Sequence, residues 1–432
     1  MKYDILINNI RRVDSLTGAP VICRVGVKDG RIAAIIPRDR RDDDSAETVI
    51  EGRGRYILPG FIDLHVHLRD PGYTYKEDII SGSRAAAAGG VTSVFCMPNT
   101  DPVCDSADVL SYIKKRAKKA DCRVFPVAAI TRGLQSREVN DLVALKAAGA
   151  CAFSDDGKPV MTASLLREAM KTAAAEELLI MSHCEELSLA KGAVNEGKIS
   201  KLLGLEGIPN ICEDIGVLRD IAVAADTGCR LHICHVSTRG AVEAVRQAKA
   251  HGVRVTAETC PHYFALTDED VVFYGAMAKM NPPLRSRDDA KAIIEGLRDG
   301  TLDCISTDHA PHSDEEKRAG IEKAPNGIIG LQTSFIAAYT YLVVPGHIPL
   351  SKLIELMSYN PAKITGLDKQ GLGSLEVGSR ADFTLVTLGV ENTVTKTALR
   401  GKSANTPFVG MTFEARIDET YVEGKRVFKA EQ

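Results

Sequence analysis

Residues 60–72 read Gly-Phe-Ile-Asp-Leu-His-Val-His-Leu-Arg-Asp-Pro-Gly, an apolar run that ends in two histidines and an arginine. His65 and His67 are spaced i, i+2, so on an extended strand both imidazoles point to the same face. Two neutral imidazoles on one strand can share a metal ion, each at about 2.0–2.1 Å from it. Arg69 continues the alternation and would stand beside such an ion, where a guanidinium can grip a carboxylate. The alternative is a buried strand whose histidines satisfy local hydrogen bonds, and the short motif alone does not decide.

Size and composition favour an ordinary globular protein that acts on a small molecule. A chain of 432 residues predicts one large barrel-type domain plus a smaller one. Hydrophobic residues make up 44% and charged residues 26%, and the net charge is −3. A small negative net charge does not favour binding to nucleic acid or to an anionic membrane surface.

The sequence also predicts a cytoplasmic protein with reduced thiols. Residues 1–7 lack the apolar core of a signal peptide, and no stretch approaches the ~20 apolar residues of a membrane-spanning helix. The eleven cysteines are scattered without a Cys-x-x-Cys pair. Such a set indicates small buried side chains, not disulfides or a thiolate zinc site.

Both ends of the chain carry β-strand patterns. Val21–Val27 is joined through a Lys-Asp-Gly turn to Ile32–Ile36, which predicts a hairpin, and the charged run 38–44 predicts a solvated loop. Near the C-terminus, Thr412–Ile417 and Thr420–Val427 read as two further strands. We expect residues 1–57 and 366–432 to form one small composite β-sandwich domain.

Between these ends, apolar runs alternate with helical patterns. Eight strands that alternate with helices specify a parallel sheet, and the count fits a closed (β/α)₈ TIM-type barrel over residues 58–365. An open doubly wound sheet is the alternative, but no Gly-x-Gly-x-x-Gly turn follows the first strand. The predicted strands are Ile62–His67, Val91–Cys96, Arg123–Ile130, Ala150–Ser154, Leu178–His183, Leu231–His235, Arg254–Thr259 and Asp303–Ser306. The predicted helices are Tyr75–Ala88, Ala107–Lys119, Ser136–Ala148, Ala163–Glu177, Ile215–Thr227, Arg239–Ala250 and Ser286–Leu297.

Histidines and carboxylates stand at the ends of these strands, which is where barrel enzymes carry their chemistry. Nitrogen and oxygen ligands without thiolates suit two borderline metals such as Zn²⁺, about 3.5–4 Å apart, which would lower the pKa of a water toward about 7. Asp308 would then be both a ligand and the group that moves the proton. The candidates are His65 and His67 (strand 1), Asp155 and Asp156 (strand 4), His183 (strand 5), His235 (strand 6) and Asp308 (strand 8).

Two segments, 60–72 and Thr307-Asp308-His309-Ala310-Pro311-His312, resemble the two signatures of the dihydroorotase family, class I bacterial type. Further segments that fall in the family's order are 97–100, 153–157, 182–185, 232–238, 258–262 and 279–285. The resemblance covers nearly the whole chain. It implies a metal-dependent hydrolase barrel with a split β-sandwich. It also implies a reversible cyclisation of N-carbamoyl-L-aspartate to dihydroorotate in pyrimidine biosynthesis.

The resemblance implies how the ligands divide between the metals. His65, His67 and Asp308 would hold one ion, and Asp156, His183 and His235 the other. Preferring Asp156 to Asp155 rests on the resemblance alone, and Asp155 would be a turn or a supporting carboxylate. Related hydantoinases bridge their metals with a carboxylated lysine from strand 4, a role that we do not assign to Lys158. Whether one or two zinc ions bind stays open.

Substrate contacts follow from the same resemblance. The implied substrate-binding residues are His67, Arg69, Asn99, Asn281, His312, Asn326 and Gly327. Arg69, Asn99 and His312 would hold the carboxylate, Asn281 the ring, and 326–327 would bind through the backbone. Many relatives carry Phe-Gly at 326–327, which leaves the side-chain role of Asn326 open. Alternatives remain an ion pair between Arg69 and Asp70 and a turn-capping role for Asn99.

Several expectations remain for the structure to test. The polar segment 309–325 is either a lid over the site or a surface excursion. His232 alternates with His235 and is expected to pack against the outer helices. The functional rivals are a hydantoinase, dihydropyrimidinase or allantoinase, whose substrates lack the carboxylate that Arg69 would bind, and a non-catalytic partner of aspartate transcarbamoylase. Class I relatives make a homodimer and an association with that transcarbamoylase plausible.

Overall fold

The computed structural model describes residues 2–14, 17–40 and 44–431, so the loop predicted at 38–44 lies partly outside the described residues. The chain opens with β1 (Lys2–Val13), β2 (Pro20–Lys28), β3 (Arg31–Pro37), β4 (Ser45–Glu51) and β5 (Tyr56–Pro59). The predicted hairpin is present: β2 and β3 pair antiparallel around Asp29 and Gly30, whose φ values are 51° and 70°. Two successive residues with positive φ are typical of the hairpin turn that matches strand twist.

The middle of the chain forms a parallel eight-stranded barrel. Its strands are β6 (Phe61–Val66), β7 (Val91–Cys96), β8 (Arg123–Ala128), β9 (Ala152–Phe153), β10 (Leu179–Ser182), β13 (Arg230–Ile233), β14 (Val255–Thr259) and β15 (Cys304–Ile305). A two-stranded ribbon, β11 (Val194–Asn195) and β12 (Gly207–Ile208), lies in the loop after β10. The seam between first and last strands is closed by the backbone N–H of His67, which donates to the carbonyl of His309 at 2.8 Å. The predicted barrel is therefore confirmed, with shorter fourth and eighth strands.

The helices lie between the strands and include several that the periodicity did not predict. They are α1 (Ile79–Ala88), α2 (Ala107–Ala117), α3 (Leu142–Ala148), α4 (Ala163–Ala175), α5 (Lys198–Leu203), α6 (Ile211–Thr227), α7 (Arg239–Ala250), α8 (Pro261–Ala265), α9 (Val271–Tyr274), α10 (Arg287–Asp299), α11 (Asp314–Lys317), α12 (Ser334–Ala338), α13 (Leu350–Ile354) and α14 (Asn360–Thr365). Two π-helical turns, Tyr339–Val343 and Glu355–Tyr359, continue α12 and α13.

Two predicted helices begin later than the apolar pattern suggests, because aspartates cap them. The Asp78 side chain accepts from the N–H groups of Ile80 and Ser81, so α1 begins at Ile79 and not at Tyr75. Asp141 accepts from the N–H of Ala144, so α3 begins at Leu142 and not at Ser136. The predicted starts at residues 75 and 136 are wrong.

The C-terminal strands complete the sheet that the N-terminus begins. They are β16 (Phe383–Thr393), β17 (Thr412–Val422) and β18 (Lys425–Lys429), and β16 pairs antiparallel with β5. One eight-stranded, mainly antiparallel sheet thus combines both chain ends. The predicted break near 417–420 is wrong, because β17 runs through it and the turn comes at Glu423 and Gly424, with φ values of 51° and 73°.

Apolar packing fills the barrel and joins it to its helices. Phe61 stacks on Phe335 with ring centroids 4.8 Å apart, and Phe95 stacks on Phe125 at 5.0 Å. All eleven cysteines are described and carry free thiols, and all but Cys151 are buried, as their scatter predicts. Within the described ranges, no helix combines the length and apolar character needed to span a bilayer.

Candidate active site

Six predicted ligands meet at the carboxyl ends of the barrel strands. His183 follows β10 directly, His235 stands two residues after β13, and Asp156 and Asp308 stand three residues after β9 and β15. His65 lies within β6 and His67 just after it. Each of the six side chains belongs to a residue no more than 7% exposed. The barrel geometry therefore buries four imidazoles and two carboxylates at one mouth.

Three backbones around this mouth have positive φ: Arg69 (57°), His235 (38°) and Asp308 (47°). Residues other than glycine rarely adopt this region, and such strain clusters at functional sites. At His235 it breaks the alternation of β13 and turns the imidazole toward Asp156. The sequence pattern assumed regular alternation and could not reveal this turn.

His232 corrects one expectation. Its Nδ1 contacts Thr256 Oγ1 at 2.8 Å, and its Nε2 lies 3.2 Å from Glu258 Oε2. The other oxygen of Glu258 contacts His65, so His232 lies beneath the six predicted metal ligands. We call these six the metal-type cluster: His65, His67, Asp156, His183, His235 and Asp308. The expected packing of His232 against the outer helices is wrong, since the irregular backbone at His235 brings both histidines to the inner side of the barrel.

Asp156 is the centre of the cluster. Its Oδ1 lies 3.2 Å from His65 Nε2, 3.7 Å from His183 Nδ1 and 3.6 Å from His235 Nε2, and its Oδ2 lies 3.4 Å from His67 Nε2. Burial would raise the pKa of Asp156, but the adjacent imidazoles, His65 first, outweigh it and hold the pKa well below its usual value. Asp308 Oδ1 lies 2.9 Å from His67 Nε2 and 3.6 Å from His65 Nε2.

Asp155 points away from the cluster. Its carboxylate accepts from the backbone N–H of Thr131 at 2.9 Å and from the Thr131 hydroxyl. Burial raises its pKa to about 6 despite these bonds. Asp155 therefore holds the loop that contains Thr131 in place. Of the two neighbouring aspartates, Asp156 is the one that faces the imidazoles.

Three of the imidazoles have an acceptor behind them. His65 Nδ1 contacts Glu258 Oε1 at 3.0 Å, His67 Nδ1 contacts Asn99 Oδ1 at 2.8 Å, and His183 Nε2 contacts Glu185 Oε2 at 3.1 Å. A neutral imidazole has one N–H, and these partners take it. In the neutral form of each ring, which is the form that binds a metal, the inward nitrogen is then an acceptor.

The residues fit divalent cations. The bare nitrogens face carboxylate oxygens or each other, and His65 Nε2 and Asp156 Oδ1 are buried without any hydrogen-bond partner among the described residues. Converging acceptors repel one another unless a cation lies between them. Donors bound to one tetrahedral zinc lie about 3.3 Å apart, and the distances above, from 2.9 to 3.7 Å, bracket that value. Two of the four compact groups among the described residues consist entirely of predicted ligands, His65–His67–Asp308 and His65–Asp156–His235, and the second has His65 where the predicted set has His183.

A cavity of about 230 Å³ opens above this cluster. Its lining brings together every predicted ligand except His65, which lies beneath, and every predicted substrate residue: His67, Arg69, Asn99, Asp156, His183, His235, Asn281, Asp308, His312, Asn326 and Gly327. The volume suits a small ring compound.

One end of the cavity carries the groups expected to hold a carboxylate. Arg69 Nε donates to the carbonyl of Pro311 at 3.3 Å, which leaves its two terminal nitrogens for other contacts. His312 Nε2 lies 2.8 Å from the carbonyl of Asn326 and 3.3 Å from Arg69 Nη2. Both residues are described, and Arg69 forms no ion pair with Asp70, whose carboxylate accepts from Tyr112 at 2.7 Å and lies 3.4 Å from Arg116 Nε.

Two of the three predicted asparagines also donate hydrogen bonds to a predicted metal ligand or to a residue behind one. Asn281 Nδ2 donates to Glu185 Oε1 at 3.0 Å, and Asn99 Nδ2 donates to Asp156 Oδ2 at 3.4 Å. Asn99 thus supports the cluster rather than capping a turn. The sequence reasoning missed Glu185 and Glu258. Two signals could have found them. Glu185 is a charged residue two places after the strand-end histidine His183, and Glu258 is a charged residue inside an apolar strand.

The segment 309–325 is packed against the site. The Lys317 ammonium donates to the carbonyls of Lys279 and Pro325 at 3.1 and 2.9 Å, and Asn405 donates to those of Ala310 and Gly327. Burial lowers the pKa of Lys317 to about 7. These hydrogen bonds tie the segment to the loops beside the cavity, which favours a lid over the site rather than a surface excursion.

Comparisons with known proteins agree with this geometry. A family model described as Dihydro-orotase-like matches residues 54–241. A dihydroorotase from Acetivibrio thermocellus is 46% identical over 419 residues, which are 96% of this chain and 97% of the relative. A dihydroorotase from Syntrophus aciditrophicus is 49% identical over 411 residues, 93% of this chain and 94% of the relative. The chain belongs to the dihydroorotase family.

The solved structures place the dihydroorotase fold among related cyclic amidohydrolases. An L-hydantoinase (dihydropyrimidinase) from Arthrobacter aurescens matches with a TM-score of 0.88 and 28% identity, over 99% of this chain and 96% of the other. A D-hydantoinase matches with a TM-score of 0.84 and 25% identity, over 98% and 94%. In this chain Lys158 is exposed, and Asp156 stands in the middle of the cluster.

Proposed function

We propose that this chain reversibly cyclises N-carbamoyl-L-aspartate to dihydroorotate and water in pyrimidine biosynthesis, at the cavity above the histidine cluster. One observation carries the proposal: Arg69 and His312 stand 3.3 Å apart at one end of a cavity whose other end is a metal-type cluster. A ring that carries a carboxylate spans such a site. Hydantoin and allantoin carry no carboxylate for Arg69.

Zinc is the proposed cofactor, with one or two ions per chain held by His65, His67, Asp156, His183, His235 and Asp308. The donor set supports it, because four imidazoles and two carboxylates without thiolates suit a borderline divalent ion. When bound, the metal supplies Lewis-acid chemistry that activates water and polarises the ring carbonyl. The position of Asp156, with an oxygen within 3.7 Å of a nitrogen of each of the four imidazoles, would suit it to hold an ion together with them.

The chain's own residues provide positioning and proton transfer. Arg69, Asn99 and His312 hold the substrate carboxylate, and Asn281 with the backbone of 326–327 orients the ring. In the hydrolytic direction water adds across the ring C–N bond, and Asp308 carries one of its protons to the departing nitrogen. In the cyclising direction Asp308 takes the proton from that nitrogen while water leaves.

A comparison of substrates tests the proposal. The purified chain, loaded with zinc, is assayed with dihydroorotate, hydantoin, dihydrouracil and allantoin at equal concentrations. We expect turnover of dihydroorotate to exceed that of the others by at least about 10³-fold, because a buried arginine left without its carboxylate partner is strongly penalised. An Arg69→Met protein should lose about 10²-fold in kcat/KM for dihydroorotate, while Arg318→Met, an exposed control, should not.

Metal analysis accompanies that assay. We expect one to two zinc ions per chain and loss of turnover after chelation, restored by zinc. Preferred turnover of hydantoin or allantoin would assign the chain to those relatives. A chain that binds no zinc and turns over none of the four compounds would instead be a non-catalytic partner of aspartate transcarbamoylase.

A further inference from the structure

His312 has a polar contact at each ring nitrogen. Its Nδ1 lies 3.3 Å from the ammonium of Lys76 and 3.8 Å from Glu316 Oε2. Its Nε2 lies 2.8 Å from the carbonyl of Asn326 and 3.3 Å from Arg69 Nη2. His312 is buried. Lys76 belongs to the loop between β6 and α1 and is not among the residues that line the cavity.

These contacts favour one tautomer. An ammonium donates and cannot accept, so Lys76 favours a bare Nδ1. At Nε2 the Asn326 carbonyl is closer than the Arg69 nitrogen, 2.8 Å against 3.3 Å, and favours the proton there. The Nε2–H then donates to the Asn326 carbonyl at the cavity wall, beside Arg69. In the other tautomer a bare Nε2 would face the substrate carboxylate, and two acceptors would repel each other.

Lys76 is itself held in place. Glu316 Oε1 accepts from its ammonium at 2.6 Å, and the hydroxyl of Tyr75 donates to the same oxygen at 3.2 Å. The Lys76 ammonium also lies 5.7 and 5.5 Å from the ring centres of Tyr73 and Tyr75. Its side chain is 12% exposed. A lysine fixed from several sides can fix its own partner in turn.

We propose that Lys76 is a positioning residue for the carboxylate end of the cavity: its ammonium keeps His312 in the Nε2–H tautomer, so that an N–H, and not a lone pair, stands beside Arg69 where the substrate carboxylate binds. The inference rests on the proposed function. Burial and the nearby cations of Arg69, Lys76 and Lys317 lower the pKa of His312 to about 3. The ring is therefore neutral near pH 7, and the position of its single proton decides whether it can donate.

Steady-state kinetics test the role of Lys76. In Lys76→Met we expect the KM for dihydroorotate and for N-carbamoyl-L-aspartate to rise about tenfold, with kcat within about threefold of wild type. Glu316→Gln loosens the lysine without removing it, and it should raise KM by about threefold. Lys323→Met is the matched control, an exposed lysine in the same segment, and should leave both constants unchanged.

The tautomer is read directly by nitrogen NMR of ¹⁵N-histidine-labelled protein, with the His312 signals assigned by their loss in His312→Gln. We expect the proton on Nε2 in wild type and in Lys323→Met, and a mixture of both tautomers in Lys76→Met. The proposal would be overturned if Lys76→Met kept the wild-type tautomer of His312. It would also be overturned if both Lys76→Met and Glu316→Gln kept the wild-type KM.

The two proposals fail in different ways. If the wild-type chain turns over no dihydroorotate, the proposed function fails, whatever the NMR shows. If wild type is active but Lys76→Met keeps its KM and its His312 signals, only the role of Lys76 fails. Thermal unfolding of each variant separates loss of folding from loss of positioning.

Discussion

Two regions of this protein bury charge, and they do so in opposite ways. In the terminal sheet, Glu419 accepts from Arg55 at 2.9 Å, from the hydroxyl of Tyr421 at 2.6 Å and from Arg426 at 3.3 Å. At the barrel mouth, His65 Nε2 and Asp156 Oδ1 are buried 3.2 Å apart and neither has a donor among the described residues.

The difference separates charge that stabilises the fold from charge that prepares a reaction. In the sheet both oxygens of Glu419 meet donors from the chain, so this cluster is complete when the chain has folded. At the mouth Glu258, Asn99 and Glu185 contact the outward nitrogens of three rings. The inward nitrogens and the carboxylates converge on a space that suits a cation from solution.

The largest expected effect is at Asp308. Asp308→Asn keeps the shape of the side chain but removes the base, so kcat should fall by at least about 10³-fold. Turnover of dihydroorotate and thermal unfolding are measured together, and unfolding should change little. Substantial residual activity would show that the proton moves through another group.

A smaller effect is expected behind the cluster. Glu258→Gln removes the buried charge that orients His65 and should weaken zinc binding by about 10- to 100-fold. Competition with a chelator of known affinity measures this loss. Glu269→Gln, an exposed carboxylate, is the control and should bind zinc like wild type.

In the terminal sheet the effect should be on stability alone. Glu419→Gln leaves Arg55 and Arg426 without their charged partner, and the free energy of unfolding should fall by about 2 kcal/mol with kcat/KM unchanged. Glu414→Gln, on the exposed face of the same strand, serves as the matched control in urea unfolding. A drop in activity with Glu419→Gln would contradict the separation of the two regions.

The smallest expected effect is the pH dependence of the contribution that Glu419 makes to the free energy of unfolding. Burial tends to raise the pKa of Glu419, but hydrogen bonds from Tyr421 and Arg55 outweigh it and the pKa lies below its ordinary value of 4.5. A carboxylate with a lowered folded-state pKa stabilises the fold above its unfolded pKa, and this stability is lost as pH falls through the folded value. Urea unfolding of wild type and Glu419→Gln should therefore differ at pH 7 and converge as the pH falls through the lowered folded-state pKa of Glu419.

The barrel could be predicted from sequence because each strand is an apolar run of its own. Val91–Cys96 and Arg239–Ala250 even have their predicted bounds. Helices of four to six residues, such as α5 and α9, were missed because so short a segment shows no helical period. The orientation of His235 could not be predicted either, since it depends on one backbone angle and not on residue type.

The seam of the barrel carries a further consequence. The N–H of His67 binds the carbonyl of His309 where the first and last strands meet, and Asp308 and His67 touch at the same place. During synthesis the pocket is therefore incomplete until residues 308 and 309 have left the ribosome, even if the earlier strands have already formed. Closure of the barrel and completion of the site depend on the same residues, so a partly synthesised chain lacks the complete site.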